Sequence, residues 1–298
     1  MTDTELKSLI KAGETLELND EARAKYPGSY IKLSHGYTHY EMTGEGEAVV
    51  LVHGYSTPYF IYDKVYARFA ELGYKVIRYD LYGRGFSDRP GGKHDQAYFA
   101  HQLEELTRAL LGDEKFILVG TSMGGAISAT YCMLYPDRVK KMILLAPAGM
   151  DNFKPPFYMY LCASPVIGDI LFKILGDKIL ISHIANEFYH CSQEERDYYT
   201  RSFAENCKYK GFLRCTLSSL RHTILKTKRS TLAYKKVGEQ GLPLLVIWGD
   251  IDGTMPFYQH TRLLEVCPQA ELHKIEGYGH TFLFDDGKIT MDIIEEWL

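Results

Sequence analysis

The chain contains a serine in a setting that could make it a nucleophile. Ser122 lies at the centre of the pattern Gly120-Thr-Ser-Met-Gly124, after the apolar run FILV and before the helix-like segment GGAISATYCMLY. A turn this tight holds its central residue in strained backbone angles above the sheet, and small residues such as Gly120 and Gly124 let strand and helix approach. The backbone N–H of Met123, at the start of that helix, would point toward a developing oxyanion.

A serine hydroxyl needs a base, and the base needs an acid that fixes its tautomer. Eleven histidines are available, and His280 stands out because it follows the last strand-like run, in Gly277-Tyr-Gly-His280. Three aspartates are candidates for the acid. Asp250 and Asp252 follow the apolar run LLVIW, and Asp151 follows an earlier run. The residues alone leave the choice among the three open.

Short apolar runs alternate with helix-like segments along the chain. The runs are Ala48–Val52, Lys75–Asp80, Phe116–Val119, Met142–Leu145, Leu244–Trp248 and Glu271–Ile275. Continuous apolar runs are typical of strands buried on both faces, and their alternation with helices predicts a parallel sheet. Two alternating runs, Tyr30–Leu33 and Tyr37–Met42, predict an antiparallel hairpin at its edge. We therefore predict an α/β fold with a mostly parallel, twisted sheet of about eight strands flanked by helices.

The alternation stops after the sixth predicted strand. No strand-like run occurs between about Asp151 and Gly241, and several helices are expected there. Pro155-Pro156 marks the start of this segment and Gly241-Leu-Pro243 its end. We interpret residues 151–240 as an inserted helical cap or lid, 1–150 and 241–298 as the core, and 1–28 as an N-terminal helical extension. The alternative is that the inserted helices only enlarge the core.

Composition narrows the function classes. The net charge of −4, without a long block of one sign, gives no electrostatic reason to expect nucleic acid or an anionic membrane. Six scattered cysteines without a C-x-x-C pair, and no secretory signal, predict reduced thiols in a cytoplasmic protein. Charged residues interrupt the lipophilic stretch Val166–Ile181, so no transmembrane segment is expected. No H-E-x-x-H or dinucleotide glycine pattern appears, and we expect neither metal nor cofactor.

Four motifs, taken in order, resemble the α/β-hydrolase family, in particular its cap-bearing serine esterases, lipases and C–C hydrolases. They are Val52-His-Gly-Tyr55, Asp80-Leu-Tyr-Gly-Arg-Gly-Phe-Ser-Asp88, Gly120–Gly124, and Trp248-Gly-Asp-Ile-Asp252 with Gly279-His280. The order serine, aspartate, histidine is the one that this family uses. The resemblance covers the chain from about Ser29 to the C-terminus.

The resemblance implies roles for the candidate residues. Ser122 would be the nucleophile, His280 the general base and Asp252 the acid, because the family's acid falls at the second aspartate of this pattern. Asp250 would brace the turn through backbone hydrogen bonds. Asp151 is a weaker alternative, since some members place the acid after the sixth strand.

The resemblance also implies a second oxyanion donor. It would be the backbone N–H of Tyr55, which follows Gly54 and complements the N–H of Met123. His53 would shape that loop. The segment Asp80–Asp88 is expected to be structural, with glycines at its turns and charged side chains bound to loop backbone.

The implied reaction is hydrolysis of a carboxylic ester through an acyl-enzyme, as in carboxylesterases or monoacylglycerol lipases. Aromatic residues of the predicted cap favour a small apolar acyl or aryl substrate, although each of them could instead pack the cap on the core. They are Phe153, Phe157, Tyr158, Tyr160, Phe188, Tyr189, Tyr198, Tyr199 and Phe203. The same triad leaves C–C bond hydrolases, thioesterases and cofactor-free peroxidases open. A slow-turnover small-molecule receptor is the alternative of another class.

Overall fold

The computed structural model describes residues 13–185 and 188–298. A single eight-stranded sheet lies at the centre of this part of the chain. Its strands are β1 (Ser29–Leu33), β2 (Gly36–Thr43), β3 (Ala48–Val52), β4 (Lys75–Tyr79), β5 (Phe116–Thr121), β6 (Val139–Leu145), β7 (Leu244–Gly249) and β8 (Glu271–Ile275). The spatial order is β1-β2-β4-β3-β5-β6-β7-β8. Only the pairs β1–β2 and β2–β4 are antiparallel. The predicted eight-stranded, mostly parallel sheet with an antiparallel edge is confirmed.

Helices cover the sheet, and this coverage explains the unbroken apolar runs. Every residue of β3, β5 and β7 is buried, as expected for central strands covered on both faces. The helices are α1 (Asp20–Arg23), α2 (Asp63–Glu71), α3 (Gln96–Leu111), α4 (Met123–Leu134), α5 (Phe157–Ala163), α6 (Ile167–Ala185), α7 (Gln193–Cys207), α8 (Phe212–Ser219), α9 (Thr227–Gln240), α10 (His260–Val266), α11 (Phe282–Asp285) and α12 (Gly287–Trp297).

The segment between β6 and β7 contains α5 to α9 and no strand among its described residues. Helix α9 packs along α4, and the Tyr234 hydroxyl donates to the carbonyl oxygen of Ala148 at 3.0 Å. This last helix of the segment 151–240 therefore lies in the helical layer on the sheet. Helices α5 to α8 pack mainly on one another.

The N-terminal extension differs from the predicted helix. Residues 1–12 lie outside the described part of the chain, and within residues 13–28 the only helix is the single turn α1. Ahead of it, Leu16 forms a parallel bridge with Tyr209, with backbone hydrogen bonds of 2.9 Å to Lys208 and Lys210. At Leu16 the loop between α7 and α8 supplies the hydrogen bonds that a helix would make internally, and the chain from residue 13 to α1 is not helical.

All six cysteines are free, as predicted, and five of them are buried. Burial raises the pKa of Cys132 to about 12 and that of Cys191 to about 11. Such thiols are poor nucleophiles, because the thiolate is the reactive form.

No single helix among the described residues is long and apolar enough to cross a membrane. One pair of helical segments, Phe157–Ala163 and Ile167–Gly176, is together long and apolar enough by length and composition alone. The two segments are bent by 105° relative to each other.

Candidate active site

The backbone at Ser122 is strained and firmly held. Its φ of 53° and ψ of −121° place it in a region that non-glycine residues rarely occupy, at the junction of β5 and α4. Its N–H donates to Leu145 at 3.0 Å, and its carbonyl accepts from Gly125 and Ala148 at 2.9 Å each. The end of β6, the loop after it and the first turn of α4 thus fix the angles that the sequence pattern predicts. Strain that the surroundings over-determine in this way is common at functional sites.

Glycines at both ends of the pattern allow the close approach of strand and helix. A Cβ at Gly124 would lie 2.1 Å from the carbonyl oxygen of Val52, and one at Gly120 would lie 2.6 Å from Ser128 Oγ. Neither position has room for a side chain. The first turn of α4 therefore lies directly against the end of β3, where the loop containing Gly54 begins.

The histidine and one aspartate form a fixed pair. His280 Nδ1 lies 2.7 Å from Asp252 Oδ2, and Asp252 Oδ1 accepts the N–H groups of Thr254 at 2.9 Å and Met255 at 2.7 Å. The Asp252 side chain is fully buried, whereas that of His280 is 12% exposed. With a proton on Nδ1 facing the carboxylate, a neutral His280 keeps its basic lone pair on Nε2.

The other two aspartates are engaged elsewhere. Asp250 Oδ1 accepts the N–H of Gly277 at 2.8 Å and so braces the loop that leads to His280. The carboxylate of Asp151 accepts from Arg262 Nε at 2.8 Å, on α10. Of the three candidate acids, the structure brings Asp252 to the histidine.

The loop after β3 lies against the serine. A Cβ at Gly54 would lie 3.2 Å from Ser122 Cβ, so the Gly54–Tyr55 peptide borders the predicted nucleophile. His53 holds this loop from behind, since its Nε2 accepts the Leu81 N–H at 2.9 Å and its Nδ1 donates to the Gly54 carbonyl at 3.0 Å. Burial lowers the pKa of His53 to about 4 although the Asp80 carboxylate opposes this, and His53 is therefore neutral at pH 7.

A buried arginine also holds this loop. Arg84 Nε donates to the Tyr55 carbonyl at 2.9 Å, and a second guanidinium nitrogen lies 3.4 Å from the Tyr82 carbonyl. The side chain is fully buried, and this burial lowers its pKa to about 10. The sequence pattern Gly83-Arg-Gly85 indicated a structural loop but not this contact with Tyr55, the residue after Gly54.

Asp80 anchors the rest of the Asp80–Asp88 segment through hydrogen bonds. Asp80 accepts the N–H groups of Tyr59 at 3.0 Å and Phe86 at 2.9 Å, and its Oδ2 lies 2.8 Å from His39 Nδ1. Burial alone would raise the pKa of Asp80, but the hydrogen bond and charge of His39 outweigh it and lower that pKa. The pKa of His39 is raised for the complementary reason, because Asp80 outweighs its burial.

Ser122 and His280 line one cavity of about 490 Å³, together with Gly54 and Tyr55. Much of the remaining lining is aliphatic or aromatic, from Ile61, Phe153, Met159, Phe172, Leu180, Leu220, Ile224, Met255 and Leu283. Among the described residues, Lys154 is its one lysine or arginine. Of the aromatic residues expected to favour an apolar substrate, only Phe153, Tyr158 and Tyr199 line the cavity. Many of the aliphatic residues come from α6 and the π-turn Leu220–Ile224, which no motif marks.

Within the described part of the chain, no group of three or more histidine, cysteine, aspartate or glutamate side chains is arranged to hold a metal ion.

Comparison with known proteins gives the family. The family described as "Serine aminopeptidase, S33" matches residues 45–287, and the chain belongs to it. The chain is similar to a 2-hydroxy-6-oxononadienedioate/2-hydroxy-6-oxononatrienedioate hydrolase of Comamonas testosteroni, at 28% identity over 89% of this chain and 92% of the relative.

Solved structures agree on the fold. An esterase from Exiguobacterium antarcticum superposes with a TM-score of 0.76 at 20% identity, covering 91% of this chain and 99% of that one. A bromoperoxidase from Bacillus anthracis gives a TM-score of 0.74 at 24% identity, with coverage of 91% and 99%. The α/β-hydrolase fold expected from the sequence is confirmed.

Proposed function

For this member of the serine aminopeptidase S33 family, we propose a serine hydrolase in which Ser122 is the nucleophile, His280 the general base and Asp252 the orienting acid. One observation carries the proposal. A buried carboxylate holds His280 by Nδ1 at 2.7 Å, in the cavity that the strained Ser122 also lines. This combination prepares a base and a nucleophile for acyl transfer.

The reaction balances without a cofactor. Ser122 Oγ attacks the substrate carbonyl carbon while His280 Nε2 takes the hydroxyl proton, and the oxyanion accepts hydrogen bonds from the N–H groups of Met123 and Tyr55. The tetrahedral intermediate expels the alcohol, which takes the proton from His280 and leaves an acyl-enzyme. Water, deprotonated by His280, then attacks the acyl carbon, the bond to Ser122 Oγ breaks, and His280 returns the proton to Oγ as the carboxylic acid leaves.

We propose a carboxylic ester with an apolar acyl or aryl group as the substrate. The aliphatic and aromatic side chains of the lining would bury such a group favourably, and a cavity of about 490 Å³ suits a small molecule. Helices α5 to α7 and the π-helical turn Leu220–Ile224 supply part of that lining, which supports the assignment of this segment as a cap over the site. Helix α9 we assign to the core, because it packs along α4.

Cleavage of a C–C bond is the second candidate, since one relative is a hydrolase whose named substrates are dioates. A dioate carries two carboxylates, whereas Lys154 is the one lysine or arginine that the described residues contribute to the lining. Binding two buried negative charges would require more cationic partners than this. The lining therefore disfavours a dioate, and we keep the ester as the proposed substrate.

Labelling with a fluorophosphonate probe, followed by peptide mapping, tests the nucleophile. Label on Ser122 of the wild type and none on Ser122→Ala is the expected result. If the folded wild type resists both this probe and a smaller sulfonyl fluoride, the proposed mechanism fails. Stoichiometric labelling without multiple turnovers on any activated ester would instead favour a slow-turnover receptor.

The substrate class is tested separately, with p-nitrophenyl esters from acetyl to palmitoyl and a 6-oxo-dienoate. The expected result is a rate that rises with acyl length until the cavity is filled, with slow cleavage of the dienoate. A flat profile would remove the apolar preference. A dienoate cleaved faster than every ester would establish the C–C reaction instead.

A further inference from the structure

Helix α6 is apolar on two faces, but only one of them is covered. Its inward face, at every fourth position from Gly168 to Leu180, is buried, and Phe172 on that face lines the cavity. On the outward face Ile167, Ile170 and Ile174 are more than half exposed. A surface helix is usually polar on its outer side, and a helix that is apolar all round is normally buried in protein or in lipid.

The neighbouring helix and the bend extend this exposed surface. Phe157 on α5 is 81% exposed and Val166 at the bend is 68% exposed. We call the exposed apolar residues of α5, the bend and α6 the outer cap patch: Phe157, Tyr160, Val166, Ile167, Ile170 and Ile174. The two helices that carry the patch are also the bent pair whose length and composition suit a lipid environment.

An arginine fixes the patch in place. Arg221 donates to the carbonyls of Ala163 and Ser164 at 2.9 Å each, and it pairs with Asp169 Oδ1 at 2.9 Å. The first two bonds hold the bend between α5 and α6. The ion pair neutralises the acidic side chain nearest to the patch. Contacts within the protein thus fix the bend and leave the apolar side chains of the patch exposed to solvent.

The backbone at the bend is strained around an apolar side chain. Val166 has a φ of 66°, a left-handed conformation that glycine or asparagine adopts far more easily than a β-branched residue. Since its side chain is mostly exposed, packing inside the described chain gives little reason for valine here. Strain of this kind points to a function, and an apolar side chain at the apex would be useful against an external apolar partner.

The charge of the same segment indicates the kind of partner. Residues 151–226, which precede α9 and include α5 to α8, contain 10 lysines and arginines against 8 aspartates and glutamates, whereas the remainder contains 24 against 30. Lys154 and Lys173 are exposed beside the patch. The whole-chain charge of −4 therefore conceals a cationic cap segment on an acidic core. We propose that the outer cap patch docks on an anionic lipid surface, with its apolar side chains among the acyl chains and these lysines at the headgroups.

Docking would bring the cavity to the lipid. Met159, Cys162 and Phe172 line the cavity from the helices whose outer faces form the patch. Helices α5 and α6 would then lie between the lipid surface and the cavity. The docking itself does not depend on the proposed reaction, so Ser122→Ala should bind lipid as well as the wild type does.

Flotation of the full chain with vesicles tests the proposal. Vesicles of phosphatidylcholine alone are compared with vesicles in which part of it is replaced by phosphatidylglycerol. The wild type should float with both kinds, and more with phosphatidylglycerol at low salt. The double variant Ile170→Ser/Ile174→Ser should partition at least about tenfold less, because two buried aliphatic side chains are lost from the interface. Lys154→Gln/Lys173→Gln should lose only the preference for phosphatidylglycerol.

Leu232→Ser is the matched control, since Leu232 is an exposed aliphatic residue on α9, outside the patch. Its vesicle binding should equal that of the wild type, and thermal unfolding should show that every variant is folded. The proposal is wrong if the wild-type protein floats with neither kind of vesicle. It is also wrong if the protein forms a concentration-dependent dimer that only the double isoleucine variant abolishes, because the patch would then cover a second copy of the chain.

Discussion

The guanidinium of Arg84 donates from Nε to the carbonyl oxygen of Tyr55 at 2.9 Å, and within the described residues no carboxylate forms an ion pair with it. A fully buried cation without an acidic partner is costly unless backbone carbonyls satisfy it. The bond ties Arg84 to the loop that contains the proposed oxyanion donor. We therefore regard Arg84 as a positioning residue for the Tyr55 N–H.

Replacing Arg84 by methionine should lower kcat about 10- to 100-fold with little change in KM, because a misplaced donor weakens transition-state binding alone. A boronic acid inhibitor should lose affinity in proportion, whereas substrate binding should not. Arg89→Met is the matched control, since Arg89 is also held by backbone carbonyls, those of Ser87 and Gly85 at 2.6 Å each. If both variants lost kcat equally, the role of Arg84 would be purely structural, and the positioning role would be wrong.

The three candidate acids should differ sharply in their effect on the rate. Asp252→Asn should lower kcat by about 10²- to 10⁴-fold, because the amide can favour the wrong tautomer of His280. Asp250→Asn and Asp151→Asn should each change kcat less than about threefold, since their partners are Gly277 and Arg262. Ester hydrolysis by the three purified variants measures this. If Asp151→Asn instead lost most of its kcat and Asp252→Asn stayed active, the orienting acid would be Asp151, which follows β6.

The sequence predicted the strands and the nucleophile turn because those features are local. A strand buried on both faces must be apolar along its length, and β3, β5 and β7 show this directly. The lining of the cavity depends instead on how α5 to α8 pack far along the chain. Aromatic residues that the sequence cannot tell apart therefore lie in different environments. Tyr199 lines the cavity, whereas Phe157 is exposed.

The sequence pattern also could not predict contacts between segments that lie far apart in the chain. The bond from Arg84 to Tyr55 joins residues 29 positions apart, and the pairing of Leu16 with Tyr209 joins two loops. No periodicity marks either contact, because each satisfies backbone groups that irregular segments leave open.

The glycine at the start of α4 should be intolerant of any side chain. Gly124→Ala should destabilise the protein by roughly 2–4 kcal/mol, because the added Cβ would meet the backbone oxygen of Val52, which cannot rotate away. Chemical denaturation measures the change. Gly91→Ala is the control, since nothing lies within 4 Å of its added Cβ, and it should be neutral or slightly stabilising. Similar losses in both variants would contradict the close packing of α4 on β3.

The stability of the fold should fall in mild acid because of two buried histidines. Burial lowers the pKa of His53 to about 4, and burial with the nearby Arg84 lowers that of His94 to about 3. In the unfolded chain both would titrate near about 6.5. Between about pH 6.5 and pH 4 the unfolded state therefore binds up to about two more protons than the folded state, and the free energy of unfolding decreases as the pH falls.

His94→Phe should reduce this pH dependence, since the ring lies among Tyr98 and Phe99 and phenylalanine keeps the aromatic contacts. Urea denaturation across that window should give a slope lower by about one proton, or about 1.4 kcal/mol per pH unit at most. Above about pH 7 both proteins should show the same slope, because the two histidines are then neutral in folded and unfolded chains alike. The raised pKa of His39 adds nothing to the acidic window, since His39 is protonated in both states there and its contribution is lost only as the pH rises above about 6.5. An unchanged slope in His94→Phe would mean that His94 takes up its proton without unfolding.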